Sequence, residues 1–430
     1  MAATPRRVAP KHLRSSDLRG AAQLATQATL GVARMTEGVH QSVWSGMGVP
    51  GGSTPGRTRG LTGLVYRSIE AIAQLVGHGL EKAFRALQPL LENAVADPPN
   101  SAAREAVLAA LNGVMGDRLV QGKNPLATPM GLFWNGQLLD TGGPVAIDRA
   151  TSRAVIMIHG LCMNDLQWHT VREALVVDHG QTLAAAMGAT PLYLRYNTGQ
   201  HISQNGRQLS MLLEQLAHQW PQPLESITVI AHSMGGLVIR SAVHSARCDG
   251  LAWPDRLRHI VFLGTPHHGA PLERAGHWID LLLGATPWSK PFTRLTGLRS
   301  AGITDLRYGF VTDADWDGKA HPRRHPDTRQ PVPLPPGVAC YALAATTAAQ
   351  RSRVADRLLG DGLVPLHSAL GTHADPRHDL AFAKDHHWIA YRMNHLALLS
   401  SPLVTHQLLS WLAPASAAAV PACASRPQGS

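Results

Sequence analysis

Five short apolar runs, at 154–158, 192–196, 227–231, 259–263 and 339–345, constrain this chain more than any other feature. Each is too short for a buried helix, and each is apolar at consecutive positions rather than at alternate ones. A strand with that pattern is covered on both faces, which is the condition of a parallel sheet. The intervening stretches, about 166–187, 203–219, 235–247 and 402–412, carry helical spacing. The expected fold class is therefore α/β, a mostly parallel sheet with helices on both faces. An antiparallel hairpin at 132–139 precedes it, with Asn135-Gly136 suited to a tight primed turn. At 430 residues the chain is long enough for a large core, and no apolar run reaches membrane-spanning length.

The rest of the chain divides around that sheet. Residues 1–60 form a basic arm with eight Lys and Arg against two acids, which is +6 of the chain's net +10. An apolar stripe from Leu61 to Leu91 follows at helical spacing, stops at Asp97-Pro98-Pro99, and resumes as a second helix at about 102–115. Residues 61–125 are read as a helical hairpin extension and 126–413 as the catalytic-type domain. An insertion at 270–330 lacks strand period and is a candidate cap or lid. Residues 414–430 read as a flexible tail. The arm and stripe could hold the chain peripherally against an anionic membrane, in competition with burial of the stripe on the following domain. No aromatic-interleaved basic stripe or nucleic-acid motif occurs, so nucleic acid is not an expected partner. The cysteines at 162, 248, 340 and 423 are too dispersed for a zinc site and read as free thiols; pairing of Cys162 with Cys340 or Cys248 would need an oxidising compartment. No apolar segment follows the basic N-terminus as a secretion signal requires, so the expected location is cytoplasmic or peripheral. Oligomeric state is not legible.

The chemistry concentrates at 227–236, ITVIAHSMGG. A strand ends, Ser233 follows, and Gly235-Gly236 open a helix. A serine on such an elbow projects its hydroxyl above the sheet, and the turn demands small residues two before and two after it, here Ala231 and Gly235. A serine hydroxyl needs a base, and the base an orienting acid. Asp361 stands between two glycines beyond the strand 339–345, and His395 stands just before the last helix. The order Ser233, Asp361, His395 is the one this elbow requires. His386, His387 and His406, or Asp356 and Asp375, are weaker alternatives. The oxyanion of such chemistry calls for backbone donors. The expected ones are the amides of Met234, after the serine, and Leu161, after His159-Gly160 at the end of strand 154–158. His159 is expected to fix that loop rather than to act as acid or base.

These segments, His159-Gly160-Leu161, the run from Ala231 to Gly236, GTPHHG at 264–269 and DGLVP at 361–365, resemble the esterase/lipase branch of the α/β-hydrolases over about 150–413. Bacterial triacylglycerol lipases and GPI inositol-deacylase-like hydrolases are the nearest likeness; Ala231 departs from the glycine usual at that place. The resemblance implies hydrolysis of carboxylic esters, with acyl lipids as the substrate class, through an acyl-enzyme on Ser233 and without a cofactor. Some of these lipases carry a structural calcium, but its acidic ligands do not map onto this chain, and no metal is expected. The same residues would serve thioester or amide hydrolysis or acyl transfer, and a non-catalytic binding protein on the same fold is the rival of another class. His159, Gly160, His232, His267 and His268 are the candidate substrate-binding residues. A polar cluster from Arg195 to Arg207 is either pocket lining or helix capping.

Overall fold

The structure, a computed structural model, describes residues 16, 17, 19–27, 102–172, 175–270, 299–317, 327–349 and 360–413. The basic arm apart from its short helix, the stripe 61–91, much of the insertion (271–298 and 318–326) and the tail after residue 413 lie outside those residues. The chain falls into two compact units, 1–104 with 119–127 and 105–118 with 128–430. In the first, residues 19–27 are helical. Arg104 donates to both oxygens of Asp17 (2.8 and 2.6 Å), and the Asn124 amide donates to the Gly20 carbonyl at 3.1 Å.

The second unit is built on one eight-stranded sheet. Its strands are β1 (Gly131–Trp134), β2 (Gln137–Leu138), β3 (Arg153–Ile158), β6 (Thr190–Arg195), β7 (Ser226–His232), β8 (Leu257–Leu263), β9 (Ala339–Thr346) and β10 (His387–Tyr391). The order is β10-β9-β8-β7-β3-β6-β1-β2, and all neighbours are parallel except β1 with β2 and β6. A separate hairpin pairs β4 (Thr170–Arg172) with β5 (Leu175–Val177). From β3 the chain runs outward to β6, then crosses back to β7 and continues the other way. That reversal places a switch point between β3 and β7, where the C-terminal strand ends open a crevice.

Burial explains the order. Val155, Ile156, Met157 and Ile158 of β3, and Val229, Ile230 and Ala231 of β7, are 0 % exposed. Each such aliphatic side chain contributes roughly 1.5–3 kcal/mol. The helices that cover them are α1 (Ala102–Gln121), α2 (His179–Met187), α3 (Ile202–Gln219), α4 (Met234–Cys248), α5 (Ala301–Tyr308) and α6 (Pro402–Leu412). Asp178 caps α2 by accepting from the Gln181 amide, and Gly188 ends it in the left-handed region. Helices α3 and α4 approach so closely that a Cβ on Gly206 would lie 2.3 Å from Ser241 Oγ.

Three expectations change. The helix expected over 166–187 is only its last half. A capping box of Asn164 and Gln167 starts a 3-10 turn at Asp165–Trp168, the β4–β5 hairpin follows, and α2 begins at His179. The helix at 102–115 continues to Gln121 across an interruption at Met115. Strand β10 was not expected at all. Within the insertion the described residues form α5 and a 3-10 turn at Asp313–Asp315, with no strand. No helix among the described residues is long and apolar enough to cross a membrane.

The α3–α4 contact gives a direct test. Gly206→Val should destabilise the protein by about 2 kcal/mol or more through overpacking, read as a lower urea midpoint at unchanged slope.

Candidate active site

Ser233 follows β7 with φ 54° and ψ −121°, a conformation L residues rarely adopt. It is held there by its amide, which donates to the Leu263 carbonyl at 2.8 Å, and by its carbonyl, which accepts from the Gly236 amide at 3.1 Å. The two glycines after it are dictated by space. A Cβ on Gly235 would sit 2.7 Å from the Ile158 carbonyl oxygen, and one on Gly236 would sit 2.0 Å from Thr265 Oγ1. The elbow is thus wedged between the ends of β3 and β8.

Asp361 and His395 are brought together. His395 Nδ1 donates to Asp361 Oδ2 at 2.6 Å, with both side chains buried. The other carboxylate oxygen accepts from the Leu363 and Val364 amides at 2.9 and 2.7 Å. That carboxylate has three donors, which is what a buried charge requires. The backbone joins in, because the His395 amide donates to the Asp361 carbonyl at 3.1 Å. The glycines around Asp361 are needed for the loop. Gly360 and Gly362 have φ +47° and +94°, and a Cβ on Gly360 would lie 2.1 Å from the Val364 carbonyl oxygen. The alternatives fall elsewhere. Asp375 is engaged by Arg377, His387 is exposed at the start of β10, and His386 bonds the Cys340 carbonyl.

The serine and the histidine meet across β8. Ser233 bonds Leu263, and a Cβ on the next residue, Gly264, would lie 3.1 Å from the His395 ring. The His232 ring stands 4.6 Å from that of His395. From the other side, a Cβ on Gly160 would lie 3.0 Å from Ser233 Cβ and 3.1 Å from His232 Nδ1. Among the described residues, neither the Leu161 nor the Met234 amide has a hydrogen-bond partner.

The remaining candidates are buried and neutral. His159 Nδ1 donates to the Gly160 carbonyl (2.9 Å), its ring stacks on Tyr196, and the Tyr196 hydroxyl donates to the His159 carbonyl. Burial lowers its pKa to about 4. Burial also holds His232 and His267 well below the usual imidazole range. His267 lies beside Arg240, and His268 accepts from Arg329 at 3.1 Å. The polar cluster at 195–207 is consumed internally. Arg195 binds Glu105 and Asp165, Asn197 donates to the Gly116 carbonyl and caps Gly199, and His201 binds Asp305. Sequence reasoning missed His179 and Trp168, which pack beneath the His395 turn; they lay in a stretch expected to be plain helix. Among the described residues no group of three His, Cys, Asp or Glu side chains could hold a metal ion. Cys162, Cys248 and Cys340 are free thiols.

Two outcomes follow. A buried imidazole that stays neutral binds fewer protons than the unfolded chain, so its contribution is full above about pH 6.5 and is lost as pH falls toward its folded pKa. His159 alone should remove about 3 kcal/mol of stability by pH 4, and His232, His267 and His268 act in the same direction. Urea titrations between pH 7 and 4.5 should show this fall; a flat profile would contradict the neutral assignment. Separately, burial pushes the Cys162 and Cys340 thiols up to about 12. At pH 8, iodoacetamide should therefore label the exposed Cys248 in native protein and leave Cys162 and Cys340 unmodified until urea is added, as peptide mapping would show.

Residues 149–319 match a family described as PGAP1-like alpha/beta domain. No curated protein sequence matches. The structure is similar to the Bacillus licheniformis lipase BlEst2 in mature form, at 16 % identity over 67 % of this chain and 100 % of that one, with a TM-score of 0.40. It is similar to Aspergillus fumigatus lipase B at 11 % identity over 67 % and 58 %, TM-score 0.35. It is also similar to a Pyrobaculum calidifontis esterase at 12 % identity over 73 % and 95 %, TM-score 0.35.

Proposed function

We propose that this chain, whose fold is that of the α/β-hydrolases and whose motifs are those of their esterase/lipase branch, is a serine hydrolase that cleaves carboxylic esters of acyl lipids. The observation that carries the reading is the buried 2.6 Å bond from His395 to Asp361, one strand away from a serine held at φ 54°. The bond fixes the proton on Nδ1 and leaves Nε2 as the basic nitrogen. In the reaction, Ser233 Oγ attacks the ester carbonyl carbon while His395 Nε2 takes the hydroxyl proton. The carbonyl oxygen becomes an oxyanion, received by the Leu161 and Met234 amides. As it collapses the C–O bond to the alcohol breaks, and His395 returns its proton to the departing oxygen. Water, deprotonated by His395, then attacks the acyl-enzyme and frees the acid and Ser233. Asp361 keeps the ring oriented and stabilises the imidazolium.

The strain at Ser233 supports this reading, because a positive-φ serine costs about 1–3 kcal/mol and such cost is tolerated where function needs it. Burial of the Asp361–His395 pair also supports it, since a low-dielectric surrounding strengthens the attraction that the imidazolium would feel.

Ser233→Ala and His395→Ala should each lower kcat by roughly 10⁴–10⁶-fold with the fold retained, the two being near equal because the residues act as a unit. Fluorophosphonate labelling followed by p-nitrophenyl esters of graded acyl length reads both. Labelling of Ser233→Ala at the wild-type rate would remove that serine from the role. An unlabelled and inactive wild-type protein would leave a binding protein on this fold. Faster release of acyl groups to added alcohols than to water would make it an acyltransferase.

A further inference from the structure

The turn that carries His395 is held from below by two other histidines. His395 caps the 3-10 turn Leu396–Leu399. At one end of the segment, the His395 carbonyl accepts from His232 Nε2 at 3.2 Å. At the other, the Leu398 carbonyl accepts from His179 Nε2 at 2.9 Å, while His179 Nδ1 lies 2.9 Å from Thr405 Oγ1 and accepts its proton. A carbonyl can only accept, so both imidazoles must carry their proton on Nε2. Burial keeps both pKa values below the usual range, so each ring is neutral and its tautomer is fixed. Trp168, fully buried, stands edge-on to both rings, at 6.4 Å from His179 and 6.5 Å from His232. Neither ring touches a carboxylate, and both are 0 % exposed.

These contacts do more than satisfy buried polar groups. The His395 segment is a short turn rather than a regular helix, so its carbonyls have few intrinsic partners. Its ring must nonetheless hold a fixed distance to Asp361 and to Ser233. His232 comes from the residue just before Ser233, so its bond couples the elbow directly to the backbone of His395. We propose that His232 and His179 are positioning residues, which hold the backbone on either side of the His395 turn and so fix the His395 ring between Asp361 and Ser233. The inference rests on the reading of His395 as the base of an ester hydrolase.

The test uses the full chain. His232→Phe and His179→Leu fill the space without a donor. His232→Gln and His179→Gln place an amide N–H near the position of Nε2. The apolar variants should keep a folded far-UV spectrum and a KM for a p-nitrophenyl ester within about twofold, while kcat falls roughly 10–100-fold, the scale of a displacement of about 1 Å. The Gln variants should recover most of it. A second readout needs no substrate. The far-downfield proton resonance of the short His395–Asp361 bond should broaden or vanish in the apolar variants and return with Gln. Unchanged kcat together with an unchanged resonance would overturn the proposal, as would losses that Gln leaves unrepaired. Should Phe at 232 fail to fold, His232→Asn, whose amide is too short to reach the carbonyl, takes its place. A wild-type protein inactive on every ester would defeat the hydrolase reading alone, with the resonance still deciding the positioning role.

Discussion

A serine backbone forced to positive φ at the end of a buried strand is the constraint around which the second unit is arranged. Such a conformation costs about 1–3 kcal/mol and persists only where its surroundings over-determine it. Here β7 is paired on both sides, to β3 from Arg153 through Ile158 and to β8 from Leu257 through Leu263, so the strand cannot relax by sliding. The Leu263 carbonyl takes the Ser233 amide, and Gly235 and Gly236 let the ends of β3 and β8 close in. The neighbouring strands then deliver what surrounds the serine. Strand β3 leads to Gly160 and Leu161, and β8 leads to Gly264.

The sheet also explains how residues far apart in sequence meet. Gly264 donates its amide to the Leu343 carbonyl of β9, which ties the loop after β8 to the strand that precedes Asp361. Asp361 grips His395 twice, through its carboxylate to the ring and through its carbonyl to the amide. Each bond lies in a region without solvent, where hydrogen bonds are strong and their absence costly. The geometry is thus over-specified by backbone and side chain together.

What could be read from the sequence depended on how the backbone restricts composition. The elbow shows because Ala231, Gly235 and Gly236 are forced by contact, and the Asp361 loop shows because Gly360 and Gly362 are forced by φ. The five core strands show because both of their faces are buried. Strand β10 lies at the sheet edge with only Ala390 buried, so HWIAY leaves no apolar run to detect. The β4–β5 hairpin failed for the same reason, with Val176 69 % exposed. The cluster at 195–207 was ambiguous because capping and ligand binding use the same residue types. Only the contacts decide it, and they run to Glu105, Asp165, Gly116 and Asp305.

Histidine is where sequence is weakest and environment most decisive. The chain has 23, so presence alone distinguishes nothing. Of the described ones, His159, His179, His232, His267 and His395 are at most 1 % exposed. Desolvation disfavours the charged form of all five. Only His395 has a carboxylate at hydrogen-bond distance to offset that cost. His159, His179 and His232 instead donate to backbone carbonyls, and His267 lies against Arg240, contacts that suit a neutral ring and give no shelter to an added proton. One core therefore holds two kinds of imidazole. The neutral ones brace the backbone at a fixed tautomer, and the one beside Asp361 is placed where a proton can be gained and given back.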